Sequence, residues 1–241
     1  MRLFHRTSQD NRSACAAVIV AAGSGRRMHG VDKIMAELDG KPVIVHTITA
    51  FEETPCIDEI IVVARLDQTE ILERLIRENE FQKVRAVIPG GDDRVESVRC
   101  GLRKVSPKME LVAVQDGARP LVSREIIEKT VEMASWRHAA APAVPVKDTI
   151  KEIDRSGRVT ATPDRTVLRA VQTPQVFQRD LLLAAWEKAQ KEGKRYTDDC
   201  SAMEALGVPV YLTEGSEENL KITTQLDLFL AENILLRRKQ T

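Results

Sequence analysis

Five short apolar runs rich in β-branched residues or alanine, separated by four helix-forming stretches, most constrain what this chain can fold into. The runs are residues 16–20, 59–64 (EIIVVA), 84–88, 111–115 (LVAVQ) and 140–145. They carry little of the polar alternation of a half-exposed strand, so they read as strands buried on both faces. Between them, residues 41–53, 69–79, 94–105 and 124–137 are predicted helices. Pro42 opens the first, and in the second Ile71, Leu72, Leu75 and Ile76 fall on one stripe with charges between them. Strands alternating with helices require a parallel sheet covered by helices on both faces. A chain of 241 residues without a Pro/Gly/Ser-rich linker is expected to form one such α/β domain over residues 15–241. The polar residues 1–14 precede it as a loose tail.

In such sheets ligands sit beyond the carboxyl ends of the strands, which directs attention to the loops that follow each run. After the first run the chain reads Ala21-Ala22-Gly23-Ser24-Gly25-Arg26-Arg27-Met28, with Lys33 six positions beyond Arg27. Small residues let a ligand approach the backbone, and exposed N–H groups with fixed cations make a triphosphate cradle. A dinucleotide fingerprint is excluded because Met28 occupies the third glycine position. A Walker A loop is excluded because Val31 and Asp32 follow Gly30, and a kinase loop because a helix rather than a strand comes next.

The third run is followed by Gly90-Gly91-Asp92-Asp93-Arg94 and then Ser97. The fourth leads into Asp116-Gly117-Ala118-Arg119-Pro120, and the fifth into Lys147-Asp148-Thr149. Each has an ordinary structural reading: a tight turn for the glycines, a helix N-cap for Asp92 or Asp93, an ion pair for Asp116 and Arg119. Their convergence on one sheet edge is what points to a binding site.

Residues 149–153 and 159–162 alternate around Asp154-Arg155-Ser156-Gly157, which is hairpin chemistry. A lone two-stranded ribbon is marginal in water, so this arm, residues 147–173, is expected to lie on a second copy of the chain in a homodimer. Helices are predicted over 179–192 and 198–206, a strand over 208–212, an extended piece carrying Lys221 over 219–223, and a closing helix over 225–238.

Thirty-six basic side chains balance 36 acidic ones. This gives no electrostatic footprint for nucleic acid, and any phosphate must be held by local clusters. Cys15, Cys56, Cys100 and Cys200 form no CxxC pair and read as reduced thiols of a cytoplasmic protein. His5, His29, His46 and His138 are equally scattered. No run of about 18 apolar residues and no signal-peptide pattern is present, so no membrane partner is expected.

Taken together, AAGSGRRM (21–28), GGDDRVESV (90–98), DGARP (116–120), KDTIK (147–151), TPDR (162–165), QTPQVF (172–177), YTDD (196–199) and NLKIT (219–223) resemble the 2-C-methyl-D-erythritol 4-phosphate cytidylyltransferases of non-mevalonate isoprenoid synthesis. The order and spacing of eight blocks make the resemblance specific. It implies a Rossmann-like nucleotidyltransferase fold, a mostly parallel sheet with a protruding β-hairpin arm, that uses CTP and methylerythritol phosphate. It further implies that Ala21, Ala22, Gly23, Gly25, Arg27 and Lys33 hold the CTP phosphates and that Lys221 joins them. Arg27, Lys33 and Lys221 would be the catalytic cations. Gly91, Asp92 and Ser97 would face cytosine, and Asp116 the ribose and a Mg²⁺ ion. Asp116, Arg119, Thr149, Arg165, Thr197 and Thr223 would line the acceptor pocket, Thr149 and Arg165 reaching it from the partner's arm. Two positions depart from the family pattern: Asp32-Lys33-Ile34 stands where Pro-Lys-Gln is common, after a loop one residue shorter, and Gly117 stands where Ala is frequent. A pentitol phosphate such as ribitol 5-phosphate is the alternative acceptor, and a CTP-binding protein without turnover the alternative outside catalysis.

Overall fold

A computed structural model describes residues 12–23, 32–194 and 196–240. The chain begins with β1 (Cys15–Val20), a two-residue ribbon β2 (Glu37–Leu38) and β3 (Lys41–Pro42), and helix α1 (Val43–Glu52), with Pro42 at its N-cap. There follow β4 (Glu59–Ala64), α2 (Thr69–Glu78), β5 (Val84–Pro89), α3 (Arg94–Lys104), β6 (Leu111–Asp116), α4 (Arg124–Arg137) and β7 (Ala139–Pro145). The strands pair in parallel in the order β6-β1-β4-β5, as buried runs separated by helical crossovers require.

Side chains of β1 alternate between two cores. Ala17 and Ile19 join α1 and α4 on one face, whereas Ala16 and Val18 join α3 and the later helices on the other. That is why the run lacks polar residues.

The second half of the sheet departs from the parallel expectation. The arm is the ribbon β8 (Glu152–Ile153) and β9 (Val159–Ala161), antiparallel and shorter than its sequence pattern, with Gly157 at φ +85° in the turn. The chain returns as β10 (Arg169–Val171) and β11 (Gln175–Gln178), both antiparallel to β7, with β11 also pairing antiparallel with β6. Neither strand has a run long enough to stand out from its surroundings. Helices α5 (Arg179–Lys191) and α6 (Asp199–Leu206) come next, then β12 (Tyr211–Glu214), parallel to β7, and α7 (Gln225–Gln240). The expected strand at 208–212 is displaced to β12; Pro209 has no N–H to give to a ladder, and pairing starts only at Tyr211 opposite Ala140. Residues 219–223 form no strand.

Arg12 donates to Asp58 at 2.9 Å and the Ser13 hydroxyl donates to Glu110 at 3.1 Å, so the residues just before β1 are held against the domain. Residues 1–11 of the expected tail lie outside the described residues. Among the described residues no helix is long and apolar enough to cross a membrane.

Helix α3 lies unusually close to the sheet at Gly101, where an added Cβ would stand 2.4 Å from Val18 Cγ1 and 3.0 Å from Val63 Cγ2. Both neighbours are stiff β-branched core residues. Gly101→Ala gains about 1 kcal/mol of helix preference but faces an overpacking cost of about 1–3 kcal/mol. A net loss of about 1 kcal/mol is expected in urea unfolding, and a gain in stability would show that the helix has room to move.

Candidate active site

The loops after β1, β5 and β6 are joined edge to edge. Ala21 N–H donates to the Val63 carbonyl at 2.7 Å, Gly117 N–H to Val20 at 2.9 Å and Gly90 N–H to Ala64 at 2.8 Å. Gly90 permits this crossing, because a Cβ there would lie 2.5 Å from Ala22 Cβ and 2.6 Å from Ser97 Oγ. Ser97, buried on the first turns of α3, accepts from Gly91 N–H at 3.2 Å and donates to the Asp93 carbonyl at 2.7 Å. Asp93, not Asp92, is the helix N-cap, accepting from Glu96 N–H at 2.8 Å. Asp92 is thereby left to the cavity.

These loops enclose a cavity of about 340 Å³ lined by Ala21, Ala22, Gly23, Lys33, Gly91, Asp92, Ser97, Asp116 and Lys221, together with Arg94, Ile34 and others. Nine predicted site residues thus meet in one place. Gly25 and Arg27 lie outside the described residues. At Gly117 a Cβ would sit 3.1 Å from both Ile44 Cδ1 and the Val20 carbonyl, so glycine is matched to the α1 side chain beneath this loop.

The centre of the site is Asp116, the last residue of β6. Its Oδ2 receives Lys221 Nζ at 2.9 Å and Arg119 Nε at 3.4 Å, and Arg94 Nε stands 3.7 Å from Oδ1. Burial alone would push this carboxyl up. Lys221, then Arg94 and Arg119, outweigh it and hold the group below the ordinary carboxylate range. Arg119 is itself lowered by burial, partly countered by Asp116. Arg94 also donates to Asp199 at 2.7 Å. Burial raises the Asp199 carboxyl despite that partner, and the Arg94 guanidinium is raised because its two carboxylates outweigh its own burial.

Lys221 is positioned by its neighbours rather than by regular structure. The fully buried Asn219 side chain donates to the Thr173 carbonyl at 3.0 Å and to Gln172 Oε1 at 3.2 Å. The Asn219 carbonyl receives Arg119 Nη1 at 2.6 Å, and Ile222 N–H donates to Ala118 at 2.8 Å. Asp116 N–H donates to Thr173 Oγ1 at 3.1 Å, so QTPQVF and NLKIT meet at DGARP. Arg94, Asp199 and Asn219 stand inside sequence blocks already singled out. The Arg94–Asp199 and Arg119–Asn219 contacts span about a hundred residues and have no local signal.

Of the predicted acceptor residues, Asp116 alone lines this cavity. Thr149 and Arg165 lie on the arm, where Arg165 donates to the Lys147 carbonyl at 2.8 Å. Thr197 is exposed, and Thr223 Oγ1 donates to Asp227 at 2.8 Å. Arg119 lies beneath the cavity, against Asp116. Among the described residues no group of three or more His, Cys, Asp or Glu could hold a metal ion.

The lowered Asp116 carboxyl makes its contribution to stability fully present above the ordinary value near pH 4, and lost as pH falls through the depressed folded value. Asp116→Asn, which takes the carboxylate from Lys221 and Arg119 and leaves Arg94 with Asp199 alone, is therefore expected to be less stable than the parent at pH 7, with the gap narrowing below about pH 4. Urea unfolding across pH checks this, and a gap that stays constant into acid would mean that Asp116 does not titrate low.

A family model for 2-C-methyl-D-erythritol 4-phosphate cytidylyltransferase matches residues 15–237. The enzyme of that name from Desulforamulus reducens is 48% identical over 224 residues, covering 92% of this chain and 96% of its own. The one from Alkaliphilus oremlandii is 44% identical over 233 residues, covering 96% and 99%. Among solved structures, the 4-diphosphocytidyl-2C-methyl-D-erythritol synthase of Anaerococcus prevotii superposes with a TM-score of 0.84 at 34% identity, covering 93% of this chain and 96% of that one. The cytidylyltransferase from Thermus thermophilus gives 0.72 at 30% identity, covering 92% and 98%.

Proposed function

We propose how this site works from one premise: the chain belongs to the 2-C-methyl-D-erythritol 4-phosphate cytidylyltransferase family. It is a nucleotidyltransferase of isoprenoid precursor synthesis that forms 4-diphosphocytidyl-2-C-methyl-D-erythritol and pyrophosphate from CTP and 2-C-methyl-D-erythritol 4-phosphate. A pentitol phosphate acceptor is not favoured, since the match to the methylerythritol enzymes runs through almost the whole chain.

A phosphate oxygen of the acceptor attacks the α-phosphorus of CTP, the bond to the β-phosphate bridging oxygen breaks, and pyrophosphate leaves. A phosphomonoester has a second pKa of about 6, so the nucleophile is largely dianionic at neutral pH and needs no general base. The barrier lies in bringing two anions together and in charge building on the five-coordinate phosphorus, which calls for cations aimed at that point. The observation that carries this reading is the convergence of Lys33 and Lys221 on a cavity walled by the glycine-rich loops after β1 and β5. Arg27, in the first of these loops, completes the set by the family resemblance. Ala22, Gly23 and Gly25 would offer backbone to the phosphates beside Ala21, whose own N–H is given to Val63, while Gly91, Asp92 and Ser97 would meet cytosine.

Mg²⁺ usually leans on substrate phosphates with one or two carboxylates and keeps several waters. Asp116 fits such a role as a half-shared carboxylate: Lys221 and Arg119 approach its Oδ2 at 2.9 and 3.4 Å, and Arg94 Nε stands 3.7 Å from Oδ1. Bound there with the nucleotide, the metal would add charge neutralisation at the phosphates, and Lys221 would then turn from Asp116 to the triphosphate.

The homodimer rests on the arm, which exposes Ile153, Val159 and Val167 and carries Thr149 and Arg165 away from this chain's own cavity. A second copy would cover those apolar side chains and present Thr149 and Arg165 to the acceptor, opposite Arg119, Thr197 and Thr223. Assignment to the cytoplasm rests on four free cysteines.

Pyrophosphate release from CTP is expected with 2-C-methyl-D-erythritol 4-phosphate and not with ribitol 5-phosphate; the reverse preference would overturn the acceptor assignment. Lys221→Ala should lower kcat by about 10²-fold or more with the fold intact, whereas near-normal turnover would remove Lys221 from the chemistry. Mixing Lys221→Ala with Arg165→Ala subunits should restore one working site per mixed dimer, and no recovery would contradict a site shared between subunits.

A further inference from the structure

The Asp32-Lys33-Ile34 segment departs from its family's pattern, and its surroundings give the departure a reason. Asp32 accepts three donors on its side chain. Oδ1 takes Ile34 N–H at 3.0 Å, while Oδ2 takes Arg65 Nη1 at 3.3 Å and Gln68 Nε2. Its carbonyl takes Met35 N–H at 3.1 Å and Ala36 N–H at 2.8 Å. One residue therefore closes the turn Asp32–Ala36 upon itself and fastens it to the segment that follows β4, the strand beside β1. Arg65 is in turn oriented by Asp67, which accepts its Nε at 3.0 Å and pairs with its Nη2 as well, leaving Nη1 directed at Asp32. Gln68 is buried, so its amide is fixed by packing.

On the far side of Lys33, Ile34 is sunk in the core at 1% exposure, and its carbonyl accepts from Ile44 N–H at 3.0 Å. The backbone of Lys33 is thus clamped on both sides, by Asp32 and by Ile34. Its side chain runs into the cavity, where the ammonium lies 3.8 Å from the point a Cβ on Gly23 would occupy.

We propose that Asp32 is a positioning residue for the nucleotidyl transfer, holding Lys33 at the phosphate loop through its cap on Ile34 and its hold on Arg65 and Gln68. The inference rests on the reading of Lys33 as a phosphate-contacting cation. A lysine has a long, rotatable stem and acts on phosphate as a point charge, so its value in a transition state depends on where its backbone is held. A family pattern with proline before the lysine would restrict the backbone there directly. Here a side chain with three hydrogen-bond acceptances performs that restriction.

The test is steady-state kinetics with CTP and methylerythritol phosphate on four variants. Asp32→Ala should lower kcat about tenfold with the KM for CTP changed less than about twofold. Asp32→Asn, which keeps an oxygen for the Ile34 N–H but turns an NH2 toward the donors of Arg65 and Gln68, should recover only part of the loss. Lys33→Ala should lower kcat by about 10²-fold or more, and the double variant should be no slower than Lys33→Ala alone, because a residue acting through Lys33 has nothing left to position. A double variant slower by the product of the two single losses would overturn the proposal, as would Asp32→Ala turning over normally beside an impaired Lys33→Ala. Normal turnover by Lys33→Ala would instead overturn the reading of Lys33, and the proposal with it. If Asp32→Ala does not fold, Arg65→Met, which removes one donor to Asp32, replaces it in the same cycle with the same outcomes.

Discussion

A single buried carboxylate, Asp116, holds together a cluster that would otherwise repel itself. Lys221, Arg119 and Arg94 approach it from three separate parts of the chain, and burial strengthens each attraction while it raises the cost of leaving any charge unpaired. The energy that gathers these cations also places Lys221 and Arg94 on the wall of one cavity, where the proposed mechanism needs positive charge. A cation already desolvated and oriented needs little reorganisation when negative charge develops on phosphorus, which is the condition under which electrostatic catalysis is strong.

The sheet makes that placement possible. Parallel strands β6, β1, β4 and β5 end along one edge, so the loops that follow three of them lie side by side and line one cavity. The antiparallel return through β10 and β11 brings Gln172 and Thr173 to the same edge, where they anchor the Asn219 side chain and the Asp116 backbone. The cavity is thus built from the parallel part of the sheet, and the clamp on Asn219 and Asp116 from the antiparallel part. The arm, with exposed isoleucine and valine, carries Thr149 and Arg165 away from this cavity.

Much of this was legible in the sequence because the signals were local. The buried runs of β1, β4 and β6 and the helix stripe of α2 fall within a residue or two of their predicted bounds, since period and composition act over a few residues. The phosphate-loop residues Ala22 and Gly23, the Gly91–Ser97 turn, Asp116 and Lys221 were found from short motifs and converge as expected. What escaped was set by tertiary context. Strands β10 and β11 are three and four residues long and exist because β7 and β6 offer them edges. The strand placed at 208–212 moved because Pro209 cannot donate. Arg94 reads as a helix residue until Asp116 and Asp199 are both seen beside it, and Asp32 reads as a departure from pattern until Arg65 and Gln68 close on it. Thr149 and Arg165, expected at the acceptor, do not line the cavity in one chain, so only the family resemblance could name them.

The central claim is that the cations gathered around Asp116 and the glycine loops serve the triphosphate of CTP. A crystal structure with a CTP analogue whose α–β bridging oxygen is replaced by carbon would test it most directly. The account predicts a triphosphate in contact with the ammonium groups of Lys33 and Lys221, with Lys221 turned away from Asp116 toward phosphate. A triphosphate bound away from both lysines, or a Lys221 still paired to Asp116 beside a fully bound nucleotide, would contradict it.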